Sequence, residues 1–208
     1  MSGGARADGA GGSPYPRARR APVACGAMAK TFDAIDDRLR SWIERQRMFF
    51  VGTAPSGCDG HVNISPKGPI ETLRVVDEHT VAYLDLVGSG AETIAHLRDN
   101  GRIVVMLCAF EGPPRIVRLH GRGELLAPGA LEFPAAGARP ERHRAIVRVD
   151  VSRIADSCGF GVPLMSFEGE RPQAVAWAER KLAKDGLALE AYKAEKNATS
   201  IDGLPALG

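Results

Sequence analysis

From residue 32 onward the apolar residues recur with two alternating periods. Phe32, Ile35, Leu39, Trp42 and Ile43 fall at helical spacing and predict an amphipathic helix over residues 31–47. The basic Arg45 and Arg47 stand at its end, where the helix dipole favours cations. Met48 to Ala54 then reads as a strand, Pro55 to Gly60 as a turn, and His61 to Ser65 as a second strand closing a hairpin. Leu73 to Val76 and Thr80 to Leu86 are two further β runs about the polar turn Asp77-Glu78-His79. A short helix follows. Ala91, Ile94, Ala95 and Leu97 give its buried side, Ser89 is its predicted N-cap with Glu92 completing a capping box, and Asn100-Gly101 stops it. Arg102 to Phe110 is nearly continuously apolar, which predicts a strand buried on both faces. After Pro113-Pro114, Arg115 to Leu126 alternates, Arg144 to Val151 supplies another strand, and Arg171 to Lys184 is helical. Cys158 to Pro163 and Asn197 to Leu204 read as ordered loops. Six or more strands with one inserted helix predict a barrel.

Composition fixes the boundaries of this pattern. With 208 residues, 44% of them hydrophobic, the chain can bury one substantial core. Residues 1–27 are rich in Gly, Ala, Pro and Arg without apolar period, and are expected to be a disordered extension. Arg17, Arg19 and Arg20 raise the alternative of a transit peptide, but the segment has almost no amphipathic face, so an unstructured extension with Met28 opening the folded part is the preferred reading. Residues 28–155 then form the barrel, and 156–208 a helix and loops packing on it. A net charge of +2 calls for neither nucleic acid nor an anionic membrane, and no apolar run approaches the roughly 20 residues that cross a bilayer. Cys25, Cys58, Cys108 and Cys158 are widely spaced without a C-x-x-C pair, which fits a reduced, cytoplasmic setting and no structural zinc.

Three segments carry the candidate chemistry, each closing a β run: His61 to Gly68, Gly88 to Thr93, and Arg118 to Gly123. Their small, hydroxyl-bearing and basic residues point to a phosphate-bearing cofactor. A phosphate favours a helix N-terminus, hydroxyl donors and a cation, and Ser65, Lys67, Ser89, Gly90, Thr93 and Arg118 offer that set, with Lys67 foremost. Each has a plainer reading: Ser89 and Glu92 as a helix cap, Lys67 as a turn lysine, Arg118 as a surface arginine. His120 shares Arg118's face and is a weaker candidate. Gly88-x-Gly90 after a strand imitates a dinucleotide-binding turn, with Glu111 at about the right distance, but Thr93 replaces the third glycine and the strands are joined by hairpins. Cys158 beside Gly159 invites a nucleophile reading, although a lone cysteine is more often a small apolar residue. No triad order, H-E-x-x-H motif or Walker loop is present.

The order Asn63-Ile64-Ser65-Pro66-Lys67-Gly68, Tyr83-Leu84-Asp85-Leu86, Gly88-Ser89-Gly90-Ala91-Glu92-Thr93 and Arg118-Leu119-His120-Gly121-Arg122-Gly123 resembles the pyridoxamine 5'-phosphate oxidase-related, FMN-binding split-barrel family, over about Phe32 to Val151. The resemblance implies a mainly β fold, a six-stranded split β-barrel with flanking helices, assembled as a homodimer with FMN in a groove between subunits. It lays the strand Val62 to Lys67, Ile64 included, along the flavin, with Asn63 hydrogen-bonding the ring edge. Tyr83 and Leu84 would flank the ring, Ser89 to Thr93 approach its phosphate, and Arg118 come from the facing strand. The oxidase has two basic residues at the start of this helix, where Glu92 and Thr93 stand here. Ser157 to Pro163 and Lys196 to Pro205 resemble an uncharacterised branch rather than the oxidase's own tail. The reading is an FMN-dependent oxidoreductase of a small-molecule redox substrate, with no catalytic residue assigned. Its alternatives are a deazaflavin-dependent reductase on the same barrel and a flavin-binding protein without turnover.

Overall fold

The protein is described here by a computed structural model, which covers residues 30–127, 129–131, 133 and 142–207. The extension expected over residues 1–27 lies outside the described residues. Strand β1 (Lys30–Phe32) precedes helix α1 (Asp37–Glu44), β2 (Phe49–Thr53), β3 (Asn63–Lys67), β4 (Leu73–Asp77) and β5 (Thr80–Leu86). Helix α2 (Glu92–Asp99) leads into β6 (Arg102–Cys108), β7 (Ile116–Leu126) and β8 (His143–Ser157), and the chain continues into helices α3 (Gln173–Lys184) and α4 (Ala188–Lys196).

All pairings are antiparallel, in the order β3-β2-β6-β7-β8-β5-β4, with β1 joined to the far end of β8. The sheet curls around one core. Phe49 and Val51, Val105 and Leu107, Val117 and Leu119, Val147 and Val149, and Val81 and Tyr83 all point into it, and Ile35, Leu39 and Ile43 close it from the α1 side. Strands β3 and β4, at the two ends of the order, do not pair, so the barrel is split. Eight strands are described where six were expected. Seven of them, β2 to β8, correspond to runs read in the sequence, and the eighth, β1, is an edge piece that local pattern does not mark.

The departures from expectation have tertiary causes. The helix over residues 31–47 is only α1, because Asp36 caps it through a 2.7 Å bond from the Leu39 amide and the preceding residues are drawn into β1 by pairing with Ile154–Asp156. Strand β8 runs to Ser157 rather than Val151, since β7 and then β1 give its extension partners. In β6 only one face is fully buried; Val104 and Met106 are half-buried on the barrel's outside. The capping box is absent. Ala91 stands at the N-cap of α2 without a side-chain cap, Ser89 is exposed in the preceding bend, and the Glu92 carboxylate accepts instead from the Ile201 amide at 3.4 Å.

The glycine of His120-Gly121-Arg122 is explained by the sheet. A Cβ on Gly121 would clash with the Asp150 carbonyl oxygen, well inside van der Waals contact, and stand 2.9 Å from its carbonyl carbon, where the β7–β8 register shifts. Gly121→Ala is therefore expected to destabilise the barrel by about 1–3 kcal/mol, the usual range for overpacking, measured as a shift of the urea midpoint at unchanged slope.

Candidate functional site

The period of two along β3 sends its side chains to opposite faces. Val51 and Thr53 oppose Ser65 and Asn63 across the β2–β3 register, so Asn63, Ser65 and Lys67 turn toward the barrel's split, while Val62, Ile64 and Pro66 turn outward. The inward set is held by a polar chain. Asn63 donates one amide hydrogen to Thr93 Oγ1 at 3.1 Å and the other to Thr53 Oγ1 at 3.3 Å, and its oxygen accepts from Ser65 Oγ at 3.0 Å. Thr53 Oγ1 is 3.0 Å from Nδ1 of His96, a side chain with no solvent exposure. Both donor hydrogens of Asn63 are thus spent inside the protein, which leaves none for a ring edge. Burial lowers the His96 pKa, against an opposing pull from Asp202, Glu92 and Asp99, which favours the neutral ring beside the Thr53 hydroxyl.

Lys67 meets a stronger partner than a turn lysine has. Its Nζ lies 2.7 Å from Oδ1 of Asp85, a fully buried carboxylate whose Oδ2 lies 2.9 Å from Nη2 of the buried Arg144. The same guanidinium donates to the Gly90 carbonyl, and Asn197 Nδ2 donates to the Gly88 carbonyl at 2.9 Å. The loop before α2 therefore has its carbonyls drawn inward, and the Ser89 and Gly90 side of it is exposed. A groove of about 480 Å³ runs between this loop and the start of β3, lined by His61, Asn63, Ile64, Ser89, Gly90, Glu92 and Ile201 among others. The tail closes one end: His61 Nδ1 is 2.6 Å from Asp202 Oδ1, and the His61 contacts keep the Asp202 carboxyl below the usual range.

The predicted residues divide accordingly. Asn63, Ser65 and Thr93 are joined by hydrogen bonds, Ser89 and Gly90 face Asn63 and Ile64 across the groove, and Lys67 stands beside Asp85. Tyr83 departs from the expected flanking position. It is wholly inside the barrel, edge-on to Phe49 at 5.4 Å, and burial together with the Asp85 charge raises its phenol pKa. Leu84 is buried on the opposite face among Ala82 and Ile146. Arg118 lies on the outer sheet face, bonded to Ser157 Oγ at 2.9 Å, away from the groove lining. A wider cleft of about 780 Å³ lies by Trp42, Arg47 and Glu111 and contains none of these residues; its Arg47 and Arg115 are paired with Glu111 and Asp156. Cys58 and Cys158 are exposed and Cys108 is buried. No described helix is long and apolar enough to cross a membrane.

Asp85, Arg144, His96 and Asn197 went unassigned in the sequence. The signal for the first was an acidic residue inside the apolar run Thr80–Leu86, which demands a buried cation. His96 gave the same kind of signal between Ala95 and Leu97.

An antiparallel split barrel with a groove at the edge of β3 and the start of α2 defines the class. The family model for pyridoxamine 5'-phosphate oxidase matches residues 35–158. A relative in Aspergillus flavus, the pyridoxamine 5'-phosphate oxidase family protein ustO, is 36% identical over 194 residues, covering 85% of this chain and 77% of the relative. The chain belongs to the pyridoxamine 5'-phosphate oxidase family. Among solved structures, HupZ of group A Streptococcus is similar with a TM-score of 0.44 and 22% identity, over 58% of this chain and 91% of that one. The FAD binding protein of Mycobacterium smegmatis gives a TM-score of 0.40 and 13% identity, over 60% and 95%.

Two predictions test the buried groups. Asp85→Ala leaves Lys67 and Arg144 as uncompensated neighbouring cations and is expected to cost about 3–5 kcal/mol, the cost of breaking a buried pair from one side, by chemical denaturation. Lys67→Met, which leaves Asp85 with Arg144, should cost less. Because the folded pKa of His96 lies below its unfolded value near 6.5, its stabilisation is complete above that pH and is lost as pH falls through it. Denaturation curves between about pH 7.5 and pH 5 should show a steeper acid loss in the native chain than in His96→Gln.

Proposed function

We propose that this chain is a flavoprotein that holds FMN at the β3–α2 groove, works as a homodimer, and is an oxidoreductase of a small-molecule redox substrate. The observation that carries the reading is the loop Gly88–Ala91. With the Gly88 and Gly90 carbonyls turned to Asn197 and Arg144, the exposed Ser89 hydroxyl and the amides of the same turn are the groups left to meet an anion. Behind them two cations share one carboxylate, so the positive charge is in excess. Val62 and Ile64, each 71% exposed, offer an apolar edge to a ring system beside this polar turn. These residues fit a flavin mononucleotide.

In this reading Ser89 and the loop amides bind the phosphate, while Lys67 and Arg144 act through the loop and the local field. Asn63 and Ser65, locked by Thr93 and Thr53, hold the strand rigid under the ring. Bound FMN would supply two-electron redox chemistry that no side chain here offers. The apolar outer strip formed by Ile64, Phe50, Val104 and Met106 would be covered by the second subunit. Family membership does not by itself bring pyridoxamine phosphate as substrate, since Glu92 and Thr93 stand where the oxidase has basic residues.

The purified protein is expected to show a flavin absorption band, and released cofactor should have the mass of FMN. Ser89→Ala should weaken FMN about 10-fold or more, the value of a charge-assisted hydrogen bond, and leave riboflavin unchanged by fluorescence titration. A protein that binds no flavin, or equal losses for both ligands, would overturn the phosphate assignment; a deazaflavin mass would replace FMN as cofactor.

A further inference from the structure

Beyond the groove, one segment of the chain presents large apolar side chains to solvent in a continuous run. Phe160, Leu164, Met165 and Phe167 are 80%, 79%, 55% and 40% exposed. Residues 159–170 contain no Lys or Arg and end in Phe167-Glu168-Gly169-Glu170. Few bonds hold the segment: Val162 to the Gly159 carbonyl at 2.9 Å, Met165 to the Phe110 carbonyl at 2.9 Å, and the Arg47 guanidinium 4.6 Å from the Phe167 ring. These contacts run along the rim of the chain's own barrel and leave the side chains facing out. The direction is built in at Gly159. Its φ of 63° favours glycine, and a Cβ there would stand 2.6 Å from the Arg115 backbone nitrogen.

The outer sheet face has the complementary character. A groove of about 500 Å³ there is lined by Val62, Ile64, Val104, Arg102, His120 and Ser152, among others. Arg153 pairs with His120 across the β7–β8 register, and is exposed with no ion-pair partner among the described residues. Burial first, then the charges of Arg153 and Arg118, lower the His120 pKa, which shows how closely the cations crowd this face. It is apolar with a basic rim, and the segment 159–170 is apolar with an acidic C-terminal end.

We propose that residues 159–170 form an arm that docks on the outer face of a second copy of this chain, over β6 and β7 and against the edge of β3. The inference rests on the homodimer reading above and adds the element that joins the copies. Charge complementarity selects the occupant, since the acidic apolar arm and the basic apolar face are present on every copy. Exchange about a two-fold axis satisfies both at once. The twelve residues can span up to about 40 Å when extended, enough to cross from one barrel's rim to the neighbouring face. Because Ile64 belongs both to that face and to the β3–α2 groove, the partner's arm would border the cofactor site and shield one side of it from water.

The test uses the full chain at several concentrations by sedimentation, with flavin content read on the same samples. The native chain is expected to be dimeric. Phe160→Asp with Leu164→Asp, both at exposed positions, should raise the dimer dissociation constant at least about tenfold, the effect of losing roughly 1.4 kcal/mol, while the melting curve of the monomer is kept. Two further variants separate the docking face from a general apolar effect. Glu168→Lys with Glu170→Lys and, in another chain, Arg153→Glu should each weaken self-association. Mixed, they should form a heterodimer, because each arm then meets a face of opposite charge. Arm variants that dimerise like the native chain would overturn the proposal while leaving the homodimer intact. Weakened variants that fail to pair on mixing would overturn the assigned face. A monomeric native chain would overturn both the arm and the homodimer, whereas a dimer that depends on the arm but binds no flavin would leave the arm standing and remove the cofactor reading.

Discussion

The barrel has no backbone ladder across its split, and the buried carboxylate of Asp85 does the joining. β3 ends the sheet order and β5 stands next to its other end, yet Lys67 of β3 reaches Asp85 of β5 at 2.7 Å, and Arg144 of β8 completes the pair from the adjacent strand. A buried carboxylate is costly to desolvate and is tolerable only when cations and hydrogen bonds surround it. An apolar contact at the same place would fill space without fixing register. The ion triad fixes three strands at one point, since only one alignment brings both cations onto the two oxygens. The Phe49–Tyr83 ring contact spans the same interior and sets the spacing, with the Lys67 ammonium 6.0 Å from the Tyr83 ring.

From that point the candidate site is assembled without further large terms. Arg144 is placed by Asp85, and its remaining donors take the loop carbonyl of Gly90. Asn197, at the end of α4, takes the neighbouring carbonyl of Gly88, so the tail is tied to the same loop. Ala206 packs with Ala91, Ile94 and Ala95, and Leu204 and Leu207 cover them, which fastens the last turns of the chain to helix α2. The Asn197–Leu207 segment is thus a wall of the groove.

The strand pattern was legible in the sequence because it is local. Alternation in Ile116–Leu126 and the apolar run Thr80–Leu86 gave strands that the structure contains at nearly those limits. What local pattern could not give was pairing at a distance. β1 exists only because Ile154–Asp156 is open to it, and the helix over residues 31–47 is shortened accordingly. The site was legible as a set of segments and less so as roles. Lys67 reads in the sequence as the foremost phosphate cation, and its partner in the fold is Asp85, eighteen positions away and on another strand. Asn63 was singled out as a donor, and its donors are consumed by Thr53 and Thr93, residues whose nearness is a product of the fold. Ser89 and Glu92 have the spacing of a capping box, which competes with the Glu92–Ile201 contact that the tail makes available.

Strand β3 shows how these levels meet. Its odd positions, Asn63, Ser65 and Lys67, are polar and face the split, where each has a named partner; its even positions, Val62, Ile64 and Pro66, face out and have none in the described chain. A strand with a solvated outer face would carry polar residues there. Two β-branched apolar residues left 71% exposed at a sheet edge invite aggregation unless something specific covers them. The same alternation that assigns one face to a polar network therefore leaves the other apolar and exposed. The two properties cannot be separated by sliding the strand, because a one-residue shift would exchange the faces and break the Lys67–Asp85 bridge. The register that closes the barrel is also the register that exposes the apolar edge.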